Sequence, residues 1–263
     1  MKRRTVMKFA GSLALSGIGQ AIGQVVDFND AINRAGRQRM LSQRTAKAYL
    51  AAGQGVLNDR THEILSGSIA LFDRQLAELK AFAPDAQIRA TYGDLEAVWN
   101  RYRAVLIDKA PNHASAAEMM TLDAQVLALA NKGTLQLEHA CARPVGKLVN
   151  VAGRQRMLSQ RVAKLYLAQA WKVPVPDAQA ELDKASGEFV SALAVLANAP
   201  EATSAIRQEI DLARNQWVFY EAALRRRGAD GFAPELCADV FLSSENILSV
   251  MDKVTSLYAR VAA

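Results

Sequence analysis

The 263-residue sequence predicts an all-α protein, built as two tandem up-and-down four-helix bundles related by an internal repeat. Three observations predict it. Residues 32–52 (INRAGRQRMLSQRTAKAYLAA) and 149–169 (VNVAGRQRMLSQRVAKLYLAQ) agree at 16 of 21 positions, with an offset of 117. No stretch alternates apolar and polar for long, and aromatics are only 6% while Ala and Leu abound, which favours helices over strands. Pro and Gly fall in clusters that cut the chain into segments of helical length.

In the first repeat, helices are expected near 27–53, 60–82, 86–109 and 115–141, separated by Gly53 and Gly55, Pro84-Asp85, and Pro111-Asn112. In the second they are expected near 145–171, 177–198, 201–227 and 234–260. Pro174 and Pro176, Pro200, and Gly228 with Gly231 separate these. Weaker echoes extend the repeat. Phe72 answers to Phe189, Trp99 to Trp217, Tyr102 to Tyr220 and Lys132 to Lys253. Each copy has the size of a domain, 27–142 and 144–263. Short connections make consecutive helices antiparallel. Pro144 at the junction fits either a break or the first turn of a helix nearly continuous with the one before.

Residues 1–24 stand apart. They hold Lys2, Arg3, Arg4 and Lys8 and no acid, then an apolar run too short to span a bilayer comfortably. Arg3-Arg4 followed by Val6, Met7 and Lys8 resembles a twin-arginine export signal, and Ala21 and Gly23 suit a cleavage site. Nothing later is long and apolar enough to cross a membrane, so the mature chain is expected to be soluble and periplasmic.

Composition narrows the function. Apolar residues make up 51% and charged residues 22%, the balance of a soluble globular protein. The net charge of +6 belongs largely to the leader: without it the chain holds 28 basic against 26 acidic residues, and no nucleic-acid partner is expected. Cys141 and Cys237 are far apart and are expected to be free thiols. His62, His113 and His139 form no helical metal-binding pair, and no phosphate loop, haem motif or nucleophile elbow is present. No cofactor and no enzymatic activity are expected.

The repeated helix carries the one anomaly. On a wheel at about 100° per residue, Arg39 and Gln43 fall within about 20° of the line through Ile32 and Leu50, the centre of the small and apolar stripe. Arg37 and Arg44 fall on the flank and read as solvated charges. The second copy repeats this, with Arg156 and Gln160 central and Arg154 and Arg161 flanking. An arginine turned inward needs an anionic partner or water. One candidate is a carboxylate on another helix: Asp123 in the first copy, Glu245 or Asp252 in the second. Another is a bound oxyanion, whose oxygens the guanidinium fork matches two at a time. Gly36 and Gly153, one turn earlier, suit either a ligand or a close helix.

The AGRQRMLSQR element, followed by Ala46-Lys47 or Ala163-Lys164, resembles the PilJ-type domain, the N-terminal domain of type IV pili methyl-accepting chemotaxis transducers. It is also similar to the ligand-sensing domains of nitrate/nitrite sensor kinases, and the resemblance covers the mature chain as two tandem copies. In those sensors the arginine just before the motif's methionine binds the anion, and a dimer brings two such arginines together. The resemblance implies that role for Arg39, before Met40, and Arg156, before Met157, with the pair supplied by one chain.

The resulting expectation is an exported, non-enzymatic sensory protein. It would bind a small oxyanion, nitrate- or nitrite-like, between the two motif helices, with Arg39, Arg156, Gly36, Gly153, Gln43 and Gln160 as ligand-binding residues. It would signal to a membrane receptor or histidine kinase. The alternative is a helical protein–protein interaction module without a small-molecule ligand, linked to chemotaxis or pilus signalling. An opposed pair of arginines with no carboxylate in reach favours the first, and neutralised arginines favour the second.

Overall fold

The computed structural model describes residues 24–226 and 233–261. Among them the regular elements are eight α-helices: α1 (Phe28–Gly53), α2 (Asn58–Phe82), α3 (Ala86–Asp108), α4 (His113–Cys141), α5 (Pro144–Ala170), α6 (Ala178–Asn198), α7 (Ser204–Arg225) and α8 (Pro234–Ala259). The all-α expectation is borne out, and the helix bounds lie within about three residues of those expected. Where they differ, side-chain caps explain it. The Asn112 side chain accepts from the Ser115 amide while Ser115 Oγ accepts from the Asn112 amide, a box that starts α4 at His113 rather than 115. Thr203 caps α7 and delays it to Ser204. Pro144 is the first residue of α5, but the two helices are not continuous. Ala142 takes a left-handed conformation (φ 51°) and Arg143 is extended, so the chain turns sharply between α4 and α5. The twin-arginine pair, the cleavage site, Gly228 and Gly231 lie outside the described residues.

Helices α1–α4 pack as one ring and α5–α8 as a second. In each ring the aromatic residues matched by the repeat do the same work. Trp99 stacks on Phe72 with centroids 3.6 Å apart, and Trp217 stacks on Phe189 at 4.3 Å. Tyr102 donates to the Ser42 carbonyl at 3.1 Å, and Tyr220 donates to the Ser159 carbonyl at 2.8 Å. These hydroxyls satisfy buried carbonyls that would otherwise cost free energy.

The two rings meet along their opening helices, α1 and α5, which make the most extensive helix contact in the molecule. The helices run parallel and in register. Gly36 faces Gly153 near one end, and Gly53 lies under the Trp171 ring near the other. Small residues permit this approach: a Cβ at Gly36 would stand 3.8 Å from the Gly153 Cα, and one at Gly53 would stand 2.0 Å from the Trp171 ring. Buried from several sides, α1 and α5 form the spine of the molecule.

Candidate anion-binding site

The site grows from the glycine crossing. With no side chains at Gly36 and Gly153, the backbones of α1 and α5 touch, and the next turn of each helix sends an arginine to the space beside that contact. Arg39 Nη2 lies 3.3 Å from the position a Gly36 Cβ would take, and Arg156 Nη2 lies 3.5 Å from it. The corresponding distances from Gly153 are 3.7 and 3.3 Å. Two guanidinium groups therefore converge on one patch of bare backbone, and both are buried, at 1% and 0% exposure.

Each arginine crosses to the other motif helix. Arg39 Nη2 donates to Asn150 Oδ1 at 2.6 Å and to the Asn150 carbonyl at 3.4 Å, while Arg156 Nη2 donates to the Asn33 carbonyl at 2.9 Å. Asn33 and Asn150 are repeat equivalents, 117 positions apart. The remaining contacts break the symmetry. Arg39 Nη1 donates to Asn131 Oδ1 at 3.0 Å, and Arg156 Nη1 donates to Asp252 Oδ1 at 2.6 Å. Asn131 and Asp252 occupy matching places, each just before the matched lysines Lys132 and Lys253. One arginine thus meets a neutral amide and the other a carboxylate. Both Nε atoms are buried without a hydrogen-bond partner.

The electrostatics follow from burial and like charge. Burial, reinforced by repulsion from Arg154 and Arg156, pushes the Arg39 guanidinium down to about 9, against the attraction of Glu138. Burial and Arg37 push Arg156 down to about 10, against the attraction of Asp252. Burial would raise the Asp252 carboxyl, but Arg156 and Arg37 outweigh it and hold it below its ordinary value. Both guanidinium groups remain charged at neutral pH.

Gln43 and Gln160 do not face the arginines. One turn deeper, Gln43 Nε2 donates to both Asp123 oxygens, at 2.8 and 3.0 Å, and Gln160 Nε2 donates to the Ser244 carbonyl at 2.9 Å. They tie the motif helices to α4 and α8. Asp123 therefore does not pair with the inward arginine of its own copy, and Glu245 also pairs elsewhere. Of the three carboxylates proposed from sequence, Asp252 alone meets an inward arginine.

The flanking arginines are not simply solvated. Arg37 pairs with Asp252 at 2.7 Å and Arg44 with Glu245 at 2.5 Å, both reaching from the first ring to α8 of the second. Arg154 and Arg161 stay within their own ring, on Glu188 and Glu181. The wheel placed them correctly on the flank but carried no information about the neighbouring ring.

Sequence reasoning passed over Asn33, Asn150, Asn131 and the motif lysines. Their signal was the repeat itself, since Asn33 and Asn150 are among the matched positions. Lys47 donates to Ser244 Oγ at 2.8 Å and Glu245 at 2.6 Å, and Lys164 donates to Asp123 at 2.6 Å. Each lysine leaves its own ring for the other. Cys141 and Cys237 are free. Among the described residues no group of three or more His, Cys, Asp or Glu side chains is placed to hold a metal ion, and no helix is long and apolar enough to cross a membrane.

A family model described as PilJ, type IV pili methyl-accepting chemotaxis transducer N-term, matches the chain twice, over residues 27–126 and 140–256. No curated protein and no solved structure matches it.

Proposed function

The chain belongs to the PilJ family, a sensory-domain family of chemotaxis and pilus signalling, and from that premise we propose that it is an exported sensor that binds a small oxyanion between Arg39 and Arg156. The observation that carries this reading is the convergence of two buried guanidinium groups over the Gly36–Gly153 contact, with no carboxylate on Arg39. Two like charges held together in a water-poor site repel, and a nitrate-like anion between them reverses the sign of that interaction. Each guanidinium presents a planar donor fork, and each has an unused Nε–H. The glycines let both forks approach one stretch of backbone and hold them in register.

In this reading the chain performs no catalysis and acts in the periplasm. The bound state of α1 and α5 is passed to a membrane receptor or histidine kinase. Both rings are built on these two helices, so an anion between them changes the element to which every other helix is anchored. The Arg156–Asp252 ion pair favours the second reading, an interaction module whose arginines are neutralised internally.

Thermal unfolding of the mature chain against nitrate, nitrite, acetate, phosphate and sulfate tests the proposal. A site at 100 times its dissociation constant adds about 2.7 kcal/mol of stability, which is readily seen as a raised Tm. A Tm that follows ionic strength alike for all five anions refutes a specific site.

A further inference from the structure

Among the described residues, Asp252 is the one carboxylate hydrogen-bonded to a site arginine. Its Oδ1 accepts from Arg156 Nη1 at 2.6 Å and from Arg37 Nη2 at 2.7 Å, so a carboxylate already engages one of the two site arginines, on the Nη1 edge of Arg156 and not on the Nη2 that converges with Arg39. The two sides of this contact differ in their freedom. The Arg156 side chain is 0% exposed, but the Asp252 side chain is 42% exposed. Asp252 can therefore turn to water at small desolvation cost, while Arg156 cannot leave.

Two of the residues that hold Arg156 and Asp252 border a cavity. A cavity of about 1010 Å³ opens between the start of α1, the α4–α5 turn and the end of α8. Its walls include Asn33, whose carbonyl accepts from Arg156, and Arg37, which holds Asp252. Arg34, Arg143 and Arg260 also line it, against Asp27 and Asp30, so its lining carries an excess of positive charge that favours an arriving anion. The first ring has no such arrangement, because Asn131 is neutral where Asp252 is charged.

We infer that Asp252 is a displaceable internal competitor, a tethered carboxylate that occupies the Arg156 side of the anion site and is expelled when the ligand binds. The inference rests on the proposed anion reading and adds its regulation. The ligand class is a monoanion with carboxylate-like oxygen spacing, since it exchanges for a carboxylate. Displacement also cuts the α8 link to Arg37 of α1 and Arg156 of α5. Ligand binding on the spine is thereby coupled to the seating of α8, the helix next to the cavity.

Nitrate titration of the mature chain, parent against Asp252→Asn, tests this. The amide keeps the shape and removes the charge, so a neutral and weaker acceptor competes with nitrate. Nitrate affinity is expected to rise tenfold or more. If the parent binds nitrate and the variant binds it no more tightly, Asp252 is not a competitor, and the anion site itself stands. If neither binds, both readings fall. A nitrate-soaked crystal of the parent gives a test that does not depend on the variant folding. Nitrate on Arg156 with Asp252 turned to solvent supports the inference. Nitrate bound beside an intact Arg156–Asp252 bond overturns it.

Discussion

Lys164 of the second ring closes on Asp123 of the first at 2.6 Å, with both side chains buried, at 6% and 1% exposure. Lys47 makes the reciprocal crossing to Glu245 at 2.6 Å and lies 4.0 Å above the Phe241 ring. These are the two buried lysine links between the rings, and they behave differently from the inward arginines. Each lysine is hydrogen-bonded to an acid, whereas Arg39 is hydrogen-bonded to amides and meets Glu138 only through Asn150. Removing Lys164 leaves a buried carboxylate without a counter-charge. Lys164→Met should destabilise the protein by about 3–5 kcal/mol. A Tm drop on the order of 10 °C follows, and calorimetry measures it. A drop of only a degree or two would mean that the rings are held without this lock.

Arg39→Met should have a much smaller effect. The substitution keeps most of the volume and removes a buried charge that burial, Arg154 and Arg156 disfavour more than Glu138 favours it. Unliganded stability is expected to change by no more than about 1 kcal/mol, because relief of the buried charge offsets the hydrogen bonds lost at Asn131 and Asn150. Denaturant unfolding checks this. A loss as large as that of Lys164→Met would make Arg39 a structural residue.

Gly36→Ala separates packing from ligand binding. The added methyl would stand 3.3 Å from Arg39 Nη2 and 3.5 Å from Arg156 Nη2, in the space assigned to the anion. Helix propensity favours Ala by about 1 kcal/mol, which offsets part of the crowding. The variant should fold with a Tm near that of the parent and lose most of its anion affinity in calorimetric titration. Unchanged affinity would put the ligand elsewhere.

Acid should unlock the rings in a defined window. Burial would raise the Glu245 carboxyl, but Lys47 and Arg44 outweigh it and hold it down to about 2, against 4.5 for an ordinary glutamate. The native pKa is the lower one, so the unfolded chain binds more protons between these values. The stabilisation is complete above pH 4.5 and is lost as pH falls toward about 2. Its full size is about 3 kcal/mol. Glu245→Gln should flatten the stability profile in that window, as followed by helical circular dichroism. An unaltered profile would show that other carboxylates carry the acid response.

Much of this architecture was legible in the sequence because it is periodic. The Phe72–Trp99 and Phe189–Trp217 stacks follow from matched apolar positions, and the inward aim of Arg39 and Arg156 follows from the helical wheel. What was hidden lies between the rings. Nothing in a wheel shows that Arg37 and Arg44 reach α8, or that Lys47 and Lys164 exchange rings, because those partners come from helices about 200 and 40 positions away. Gln43 and Gln160 share the arginines' stripe but sit one turn deeper, where α4 and α8 supply their partners. The site's asymmetry, Asn131 against Asp252, was visible in the aligned repeats but gained meaning only once both residues were seen on the two arginines.

The most direct test of the anion site is nitrate titration of four proteins: the parent, Arg39→Ala, Arg156→Ala and Arg154→Ala. Arg39 and Arg156 each supply one charged fork, and losing one should weaken binding about tenfold or more. Arg154 has the same charge and is engaged with Glu188 at 2.6 Å, so its removal should cost less than about threefold. A parent that binds nitrate, two variants that lose it and a third that keeps it are the result this account predicts. A parent that does not bind, or three variants that weaken alike, would contradict it.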